Sequence, residues 1–186
     1  DDDNAWLWAF RDPGQNLFGR AAELPVRLSV FRLEENVRNT RKIHSAAVRF
    51  TSGEHGICIG PDGVDVRYEF AKNPRAIRSV IKRVLQQLIK HEGIKSEDII
   101  ILTATSVANS ALNDVDQVGS FDLKAYGNDG YGIDVESVWR FKGLERPAVI
   151  VTDLTENTRD ALRYVAMTRA RSVLVMVGEE SGLRRD

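Results

Sequence analysis

Cysteine occurs once in the sequence, as Cys58, so an internal disulfide framework is excluded, as is any zinc site of paired cysteines. A reducing, cytoplasmic compartment is the expectation. Histidine is almost as scarce: His44, His55 and His91 are too scattered to define a metal site or a catalytic pair, and surface or capping roles are the default. The longest apolar runs span only a few residues, far below the roughly 20 that a membrane-crossing helix needs. The opening DDDNAWLW lacks the basic region of a signal peptide. The expectation is a soluble protein with no membrane partner, and the abrupt strand-like AWLWAF reads as a cut through a larger protein. Charge of one sign is also missing. Lys and Arg number 26 against 27 Asp and Glu, net −1 with a pI near 6.4, so no bulk attraction to nucleic acid or an anionic surface is expected and phosphate binding has to be local. The phosphate-cradling pattern G-x-x-x-x-G-K-[ST] is absent as well. The Gly-rich YGNDGYG at 126–132 lacks its lysine and hydroxyl, and reads as a turn.

What is present is ordinary globular material: 186 residues, 42% hydrophobic and 28% charged, enough for one domain or one domain with a fragment of a neighbour. Residues 5–10 and 28–33 read as strands, and RDPGQ as a turn. Residues 39–50 read as a helix with Asn39 as its N-cap, and 57–70 as a hairpin around Pro-Asp-Gly. The clearest helix is 74–92, with Asn73 as cap, Pro74 in the first turn and an apolar face of Ile77, Val80, Ile81, Val84, Leu85, Leu88 and Ile89. Its basic residues read as solvated surface. Gly93 ends it, and DIIILTA at 98–104 is an unalternating run of the kind a parallel sheet buries on both faces. A short helix after it, strands at 133–139, 147–152 and 172–177, and a helix at 158–170 complete an alternation of strand and helix. An open α/β sheet with helices on both faces follows.

Three local features carry chemistry without settling it. Thr168-Arg169-Ala170-Arg171 ends a helix just before a buried strand. A guanidinium there either complements the helix dipole or aims a planar donor fork at phosphate. Arg38 stands just before a helix, where solvated charge is the default. Lys142-Gly143-Leu144-Glu145 between two strands reads equally well as a plain turn.

In order and in spacing, RDPGQNLFG (11–19), LEENVRNTRKI (33–43), SVWRFKGLERPAVIV (137–151) and ALRYVAMTRARSVLVMVG (161–178) resemble motifs III, IV, V and VI of superfamily 1 helicases of the UvrD/Rep type. The resemblance implies a RecA-like, P-loop-NTPase-type domain without its own Walker A. Residues 1–22 would be the end of a first RecA-like domain and 23–186 the second. It also implies an ATP site, with Mg²⁺, shared with a preceding N-terminal RecA-like domain, and a single-stranded DNA track. Phosphate contacts barely distinguish DNA from RNA.

Carried over residue by residue, the resemblance makes Arg38 and Arg169 arginine fingers and Gln15 a γ-phosphate contact. Glu145 becomes a ribose acceptor, with Lys142 beside it and Gly143 allowing close approach of the backbone, all expected at the carboxyl end of a strand. Ser137 and Trp139 fall where relatives reach the single strand. Trp139 stands where many relatives have histidine, and burial beneath its loop is an equal alternative to stacking. Arg20 holds the place of a base-stacking aromatic, for which Phe18 is the substitute. The family's large insertion between motifs IV and V has no room in residues 44–136. The resulting reading is the C-terminal motor domain of an ATP-dependent DNA helicase or translocase, inactive alone. The alternatives are an ATPase motor driving a fused nuclease or other effector, and a non-catalytic α/β interaction module.

Overall fold

A computed structural model describes residues 34–51 and 56–183, together with Leu17, Ser29 and Phe31. The expected strand at 5–10, most of that at 28–33, the RDPGQ turn and His55 lie outside the described residues, as do Gln15, Phe18 and Arg20.

The chain runs β1 (Glu35–Asn36), α1 (Arg41–Ala47), β2 (Ile57–Cys58), β3 (Arg67–Phe70), α2 (Pro74–Gln86), β4 (Ile99–Thr103), β5 (Gln117–Val118), β6 (Phe121–Ala125), β7 (Ile133–Ser137), β8 (Arg146–Leu154), α3 (Asp160–Met167), β9 (Ala170–Gly178) and α4 (Glu180–Leu183). Seven strands form one sheet in the order β3-β9-β8-β4-β7-β6-β5. All pairings in it are parallel except the short β5-β6 pair at one edge. The expected α/β sheet flanked by helices is what forms.

Why both faces are buried is visible in β4. Its pleat sends Ile100 and Leu102 to one side, where α1, α3, Phe141 and Leu17 pack, and Ile99 and Ile101 to the other, where α2 packs. β8 and β9 divide in the same way, with Val149, Val151, Leu174 and Met176 on the first side and Ala148, Ile150, Val175 and Val177 on the second. A strand sandwiched like this must be apolar at every position, which is why no alternation marks it in the sequence.

Helix α2 begins where expected, with the Asn73 side chain accepting from Ala76 N at 2.9 Å and Pro74 in the first turn. Ile77, Ile81, Val84 and Leu85 are buried, with Leu88 beyond them. Each such aliphatic side chain contributes about 1.5–3 kcal/mol relative to exposure. A wider turn over Gln87–His91 follows, and the chain leaves it at Gly93 with φ +70°. Arg83 and Glu69 tie the helix to β3 through a 2.7 Å ion pair.

Two expectations are corrected. Residues 57–70 are not a hairpin: β2 pairs in parallel with β1, and β3 in parallel with β9. The Pro-Asp-Gly turn instead wraps the start of α1, whose Arg41 and Lys42 amides donate to the Pro61 and Asp62 carbonyls at 2.8 and 3.1 Å. These carbonyls satisfy first-turn amides that have no partner inside the helix. Gly63 is required there, because its φ is +76° and a Cβ would stand 2.4 Å from the Thr40 Cβ. Nor is Asn39 the cap of α1. Thr40 holds that position, its hydroxyl accepting from Ile43 N, and Asn39 is buried for another purpose. Strands β5 and β6 were not foreseen, and the short helix expected after 104 is a single 3-10 turn at Val107–Asn109. Among the described residues no helix is long and apolar enough to cross a membrane.

Candidate functional site

Those of the residues singled out in the sequence that the structure describes lie at the two ends of the parallel strands, an amino edge and a carboxyl edge of the sheet, on opposite sides of it. Strands β7 and β8 run parallel with β4 between them. A chain leaving the carboxyl end of β7 must therefore return to the other edge before β8 can start. Ser137 closes β7, whereas Glu145 immediately precedes Arg146, the first residue of β8. Lys142, Gly143 and Glu145 are thus at the amino end of a strand, not the carboxyl end expected. The return uses turns pinned by buried Val138 and Phe141. Lys142 and Gly143 are exposed, and Gly143 supplies a φ of +94°, where a Cβ would meet nothing nearby.

At this amino edge three distant segments converge. Arg146 pairs with Ala170 at the start of β9, and Arg146 N donates to Arg169 O at 3.0 Å. Buried Asn39 donates its Nδ2 to Ala170 O at 2.6 Å and to Thr168 O at 3.3 Å, and Thr40 N donates to Arg171 O at 3.2 Å. Asn36 Oδ1 accepts from the Arg38 and Asn39 amides at 3.0 and 3.2 Å, folding 36–39 into a tight turn. The Arg38 side chain then meets Glu145, Nε to Oε2 at 2.6 Å, and Arg171 approaches the same carboxylate, Nε to Oε1 at 3.7 Å. Arg38, Arg171 and Glu145 are open to solvent, with side-chain exposures of 45, 56 and 37%.

Arg169 differs. It is 1% exposed, and its guanidinium donates to Val165 O at 3.0 Å, Leu144 O at 3.1 Å and Thr168 Oγ1 at 3.0 Å. The arginine that this segment presents to the surface beside Arg38 is Arg171, which the sequence reading left unassigned. Asn39, read there as a cap, is the residue that fastens the Arg38 segment to the Thr168–Ala170 segment.

At the carboxyl edge Ser137 is buried, its hydroxyl donating to Glu136 Oε1 at 3.3 Å and accepting from Arg140 N at 3.4 Å. Trp139 is partly buried, with the Arg159 guanidinium 5.1 Å from its ring centroid. The same guanidinium donates to Leu17 O at 2.9 Å, and Leu17 is buried in the core shared by α1 and α3. Trp139 and Arg159 line a cleft of about 530 Å³ with Lys72, Asn73, Thr105 and Asp153. Asp153 holds φ +62°, and its Oδ1 accepts from Ala111 N at 2.8 Å. Burial pushes its carboxyl up from the ordinary aspartate value, partly opposed by that amide.

A second arginine that sequence reasoning passed over is structural. Buried Arg163 donates to the carbonyls of Thr155, Thr158 and Gly182 and lies over the Phe50 ring, binding the β8–α3 loop to α4. No pattern of spacing separates such an arginine from one aimed outward.

Residues 132–177 match the family model of the UvrD-like helicase C-terminal domain. That segment covers β7, β8, α3 and nearly all of β9, and so includes Glu145, Arg169 and Arg171. Among solved structures the chain is similar to the C-terminal domain of a possible DNA helicase from Lactobacillus plantarum WCFS1, at 21% identity and a TM-score of 0.56, covering 78% of this chain and 88% of that one. The likeness shows the fold. No curated protein matches the chain.

Proposed function

We propose that this chain, whose residues 132–177 match the family model of the UvrD-like helicase C-terminal domain, works as the second motor domain of an ATP-dependent DNA helicase or translocase. The observation that carries the reading is the meeting of Arg38, Glu145 and the Arg169–Arg171 segment at one edge of the sheet, with two guanidinium groups exposed around a single carboxylate.

The donor set fits a nucleotide. Exposed planar forks match phosphate oxygens in a bidentate fashion, and an exposed carboxylate is an acceptor for ribose hydroxyls. Bound ATP supplies the phosphoanhydride whose γ-phosphoryl passes to water, releasing ADP. In that step Arg38 and the Arg169–Arg171 segment stabilise charge spread over the transferring oxygens, an effect worth roughly 10³–10⁵ in rate for arginine fingers. Glu145 orients the sugar, and Gly143 keeps the adjoining surface open for it. Gln15 is proposed as the further γ-phosphate contact. The cradle for the β-phosphate and the acidic ligand for Mg²⁺ belong to an N-terminal RecA-like domain, so the chain alone is proposed to be inactive.

The opposite edge is proposed as the track, with Trp139 offering a face to bases of a single strand, and Phe18, which lies outside the described residues, is proposed as a further stacking side chain. Ser137 reaches a phosphate only after leaving Glu136. Because ATP face and track lie at opposite ends of β8, α3 and β9, closure on nucleotide moves both as one body, the general logic of a motor domain.

The test is ATP hydrolysis by the full-length protein with and without single-stranded DNA, with this chain as the control. DNA-stimulated turnover in the former and none in the latter supports the reading. A folded full-length protein without turnover overturns it.

A further inference from the structure

From Pro74 to His91, helix α2 and the wider turn that ends it carry Arg75, Arg78, Lys82, Arg83 and Lys90 and no acidic residue. Glu69 neutralises Arg83. Arg75, Arg78 and Lys82 make no ion pair among the described residues. Building on the track proposed above for the carboxyl edge, we propose that Arg75, Arg78 and Lys82 form a second phosphate path, along which the backbone of a single strand leaving the Trp139 cleft runs over the flank of α2.

Topology brings the stripe to the cleft. Strands β3 and β4 point the same way in one sheet, so α2, which joins them, starts at the carboxyl edge and runs back toward the amino edge. Lys72, Asn73 and Pro74, at that start, line the same cleft as Trp139 and Arg159. Spacings of three and four set Arg75, Arg78 and Lys82 on one side of the helix, rising about 10 Å along its axis. The side they occupy flanks the buried face of Ile77, Ile81, Val84 and Leu85. A strand whose bases meet Trp139 therefore finds Lys72 at the rim and the stripe beyond it.

Electrostatics then point to an anion. The amino end of a helix favours negative charge, yet the first turn of α2 holds Arg75 and no acid. Like charges also stand three and four residues apart, at Arg75–Arg78 and Arg78–Lys82, where they repel. A polyanion on this flank relieves both penalties at once. Lys82 is held ready for it: a Cβ on Gly119, which has φ +68°, would stand 2.8 Å from the Lys82 Cγ, so the aliphatic stem lies on the β5–β6 turn while the residue stays exposed. The cleft itself includes Asp153 and Glu179, which turn a phosphate backbone away from its floor and toward the basic rim. In a chain of net charge −1, the stripe is a local field rather than a general one.

The experiment compares R75Q/K82Q with K90Q/K95Q, which removes two exposed lysines beyond the stripe, in the full-length protein. Labelled oligothymidylate is titrated by anisotropy over a series of salt concentrations, beside thermal unfolding and the KM for ATP at saturating strand. R75Q/K82Q is expected to weaken strand binding at low salt by about tenfold and to flatten the slope of log K against log salt by about 1.4, at roughly 0.7 for each lost phosphate contact of a single strand. KM for ATP stays unchanged, and Tm is no lower than in wild type, because the helix loses a first-turn cation. K90Q/K95Q keeps the wild-type slope. Wild-type affinity and slope in R75Q/K82Q, an equal loss in K90Q/K95Q, or a loss seen with a blunt duplex and not with the single strand overturns the path. A folded wild-type protein that binds no single strand overturns instead the track on which it rests.

Discussion

Asn39 Nδ2 lies 2.6 Å from the carbonyl oxygen of Ala170, at the start of the strand that carries Arg171. This bond, with its partner to Thr168 O, joins two segments more than a hundred residues apart and places both exposed arginines around Glu145. Asn39→Ala is expected to leave these carbonyls unsatisfied in a buried place, at about 1–3 kcal/mol of stability. It should also lower DNA-stimulated ATP turnover by moving Arg38. Urea unfolding and ATPase assays check the two effects, and wild-type values in both would refute the link.

The Arg38–Glu145 pair is short but solvated. An exposed pair of this kind stabilises by about 0–1 kcal/mol, so Arg38→Ala and Glu145→Ala should each leave the unfolding midpoint nearly unchanged. Turnover is where they part from wild type, through kcat for Arg38 and through KM for Glu145. Large losses of stability in either would mark the pair as structural.

Gly63 and Gly143 both hold positive φ, yet only one is crowded. Alanine at Gly63 meets Thr40 at 2.4 Å, whereas at Gly143 it meets nothing within 4 Å. Both substitutions pay the left-handed backbone strain of about 1–2 kcal/mol, and Gly63→Ala adds a steric clash at the start of α1. Paired melting curves should place Gly63→Ala clearly below Gly143→Ala; the reverse order would contradict the packing of the 60–63 loop.

For Asp153 the sign is set by burial, which raises its carboxyl above the ordinary value. A raised folded-state pKa means that the protonated form is favoured by folding. The contribution is present below the unfolded aspartate value near 3.9 and is lost as pH rises through the folded value. At neutral pH the charged form costs stability. Asp153→Asn keeps an acceptor for Ala111 N and suits φ +62°. It should raise Tm at pH 7 by about 1–4 °C, with the advantage fading as pH falls toward 4. A variant less stable at pH 7 would show that the charge is needed.

Trp139 is the side chain proposed above to meet a base. Trp139→Ala is expected to weaken binding of a labelled single strand by about 1–3 kcal/mol. Its Arg159 partner is also held by Leu17 O, so the cleft wall should persist. Anisotropy titrations that show wild-type affinity would remove Trp139 from the track.

Much of the fold was legible in the chain. The unalternating, mostly apolar runs at 98–104 and 172–177 read as strands buried on both faces, and the 3–4 spacing from Ile77 to Ile89, capped by Asn73 and stopped at Gly93, read as a one-sided helix. These are local consequences of burial and backbone stereochemistry, and neighbours did not override them. The Pro61-Asp62-Gly63 turn was misread because a turn signal fixes a change of direction but not the partner of the strands on either side. Here the parallel strands β1 and β9 claimed them.

The amino acids by themselves thus determined most of the strands and helices of the described residues, though not β5 and β6, and brought Arg38, Glu145 and Arg169 to notice through the order of their motifs. Only the tertiary structure decided at which edge of the sheet they meet. Parallel β7 and β8 with β4 between them force the loop at 138–145 across the sheet, so Ser137 and Trp139 part company with Glu145. It also decided which arginine faces outward. Arg169 and Arg171 are chemically identical and two residues apart, and the difference between a buried donor and an exposed one lies in the carbonyls of Val165 and Leu144 that folding places around the first.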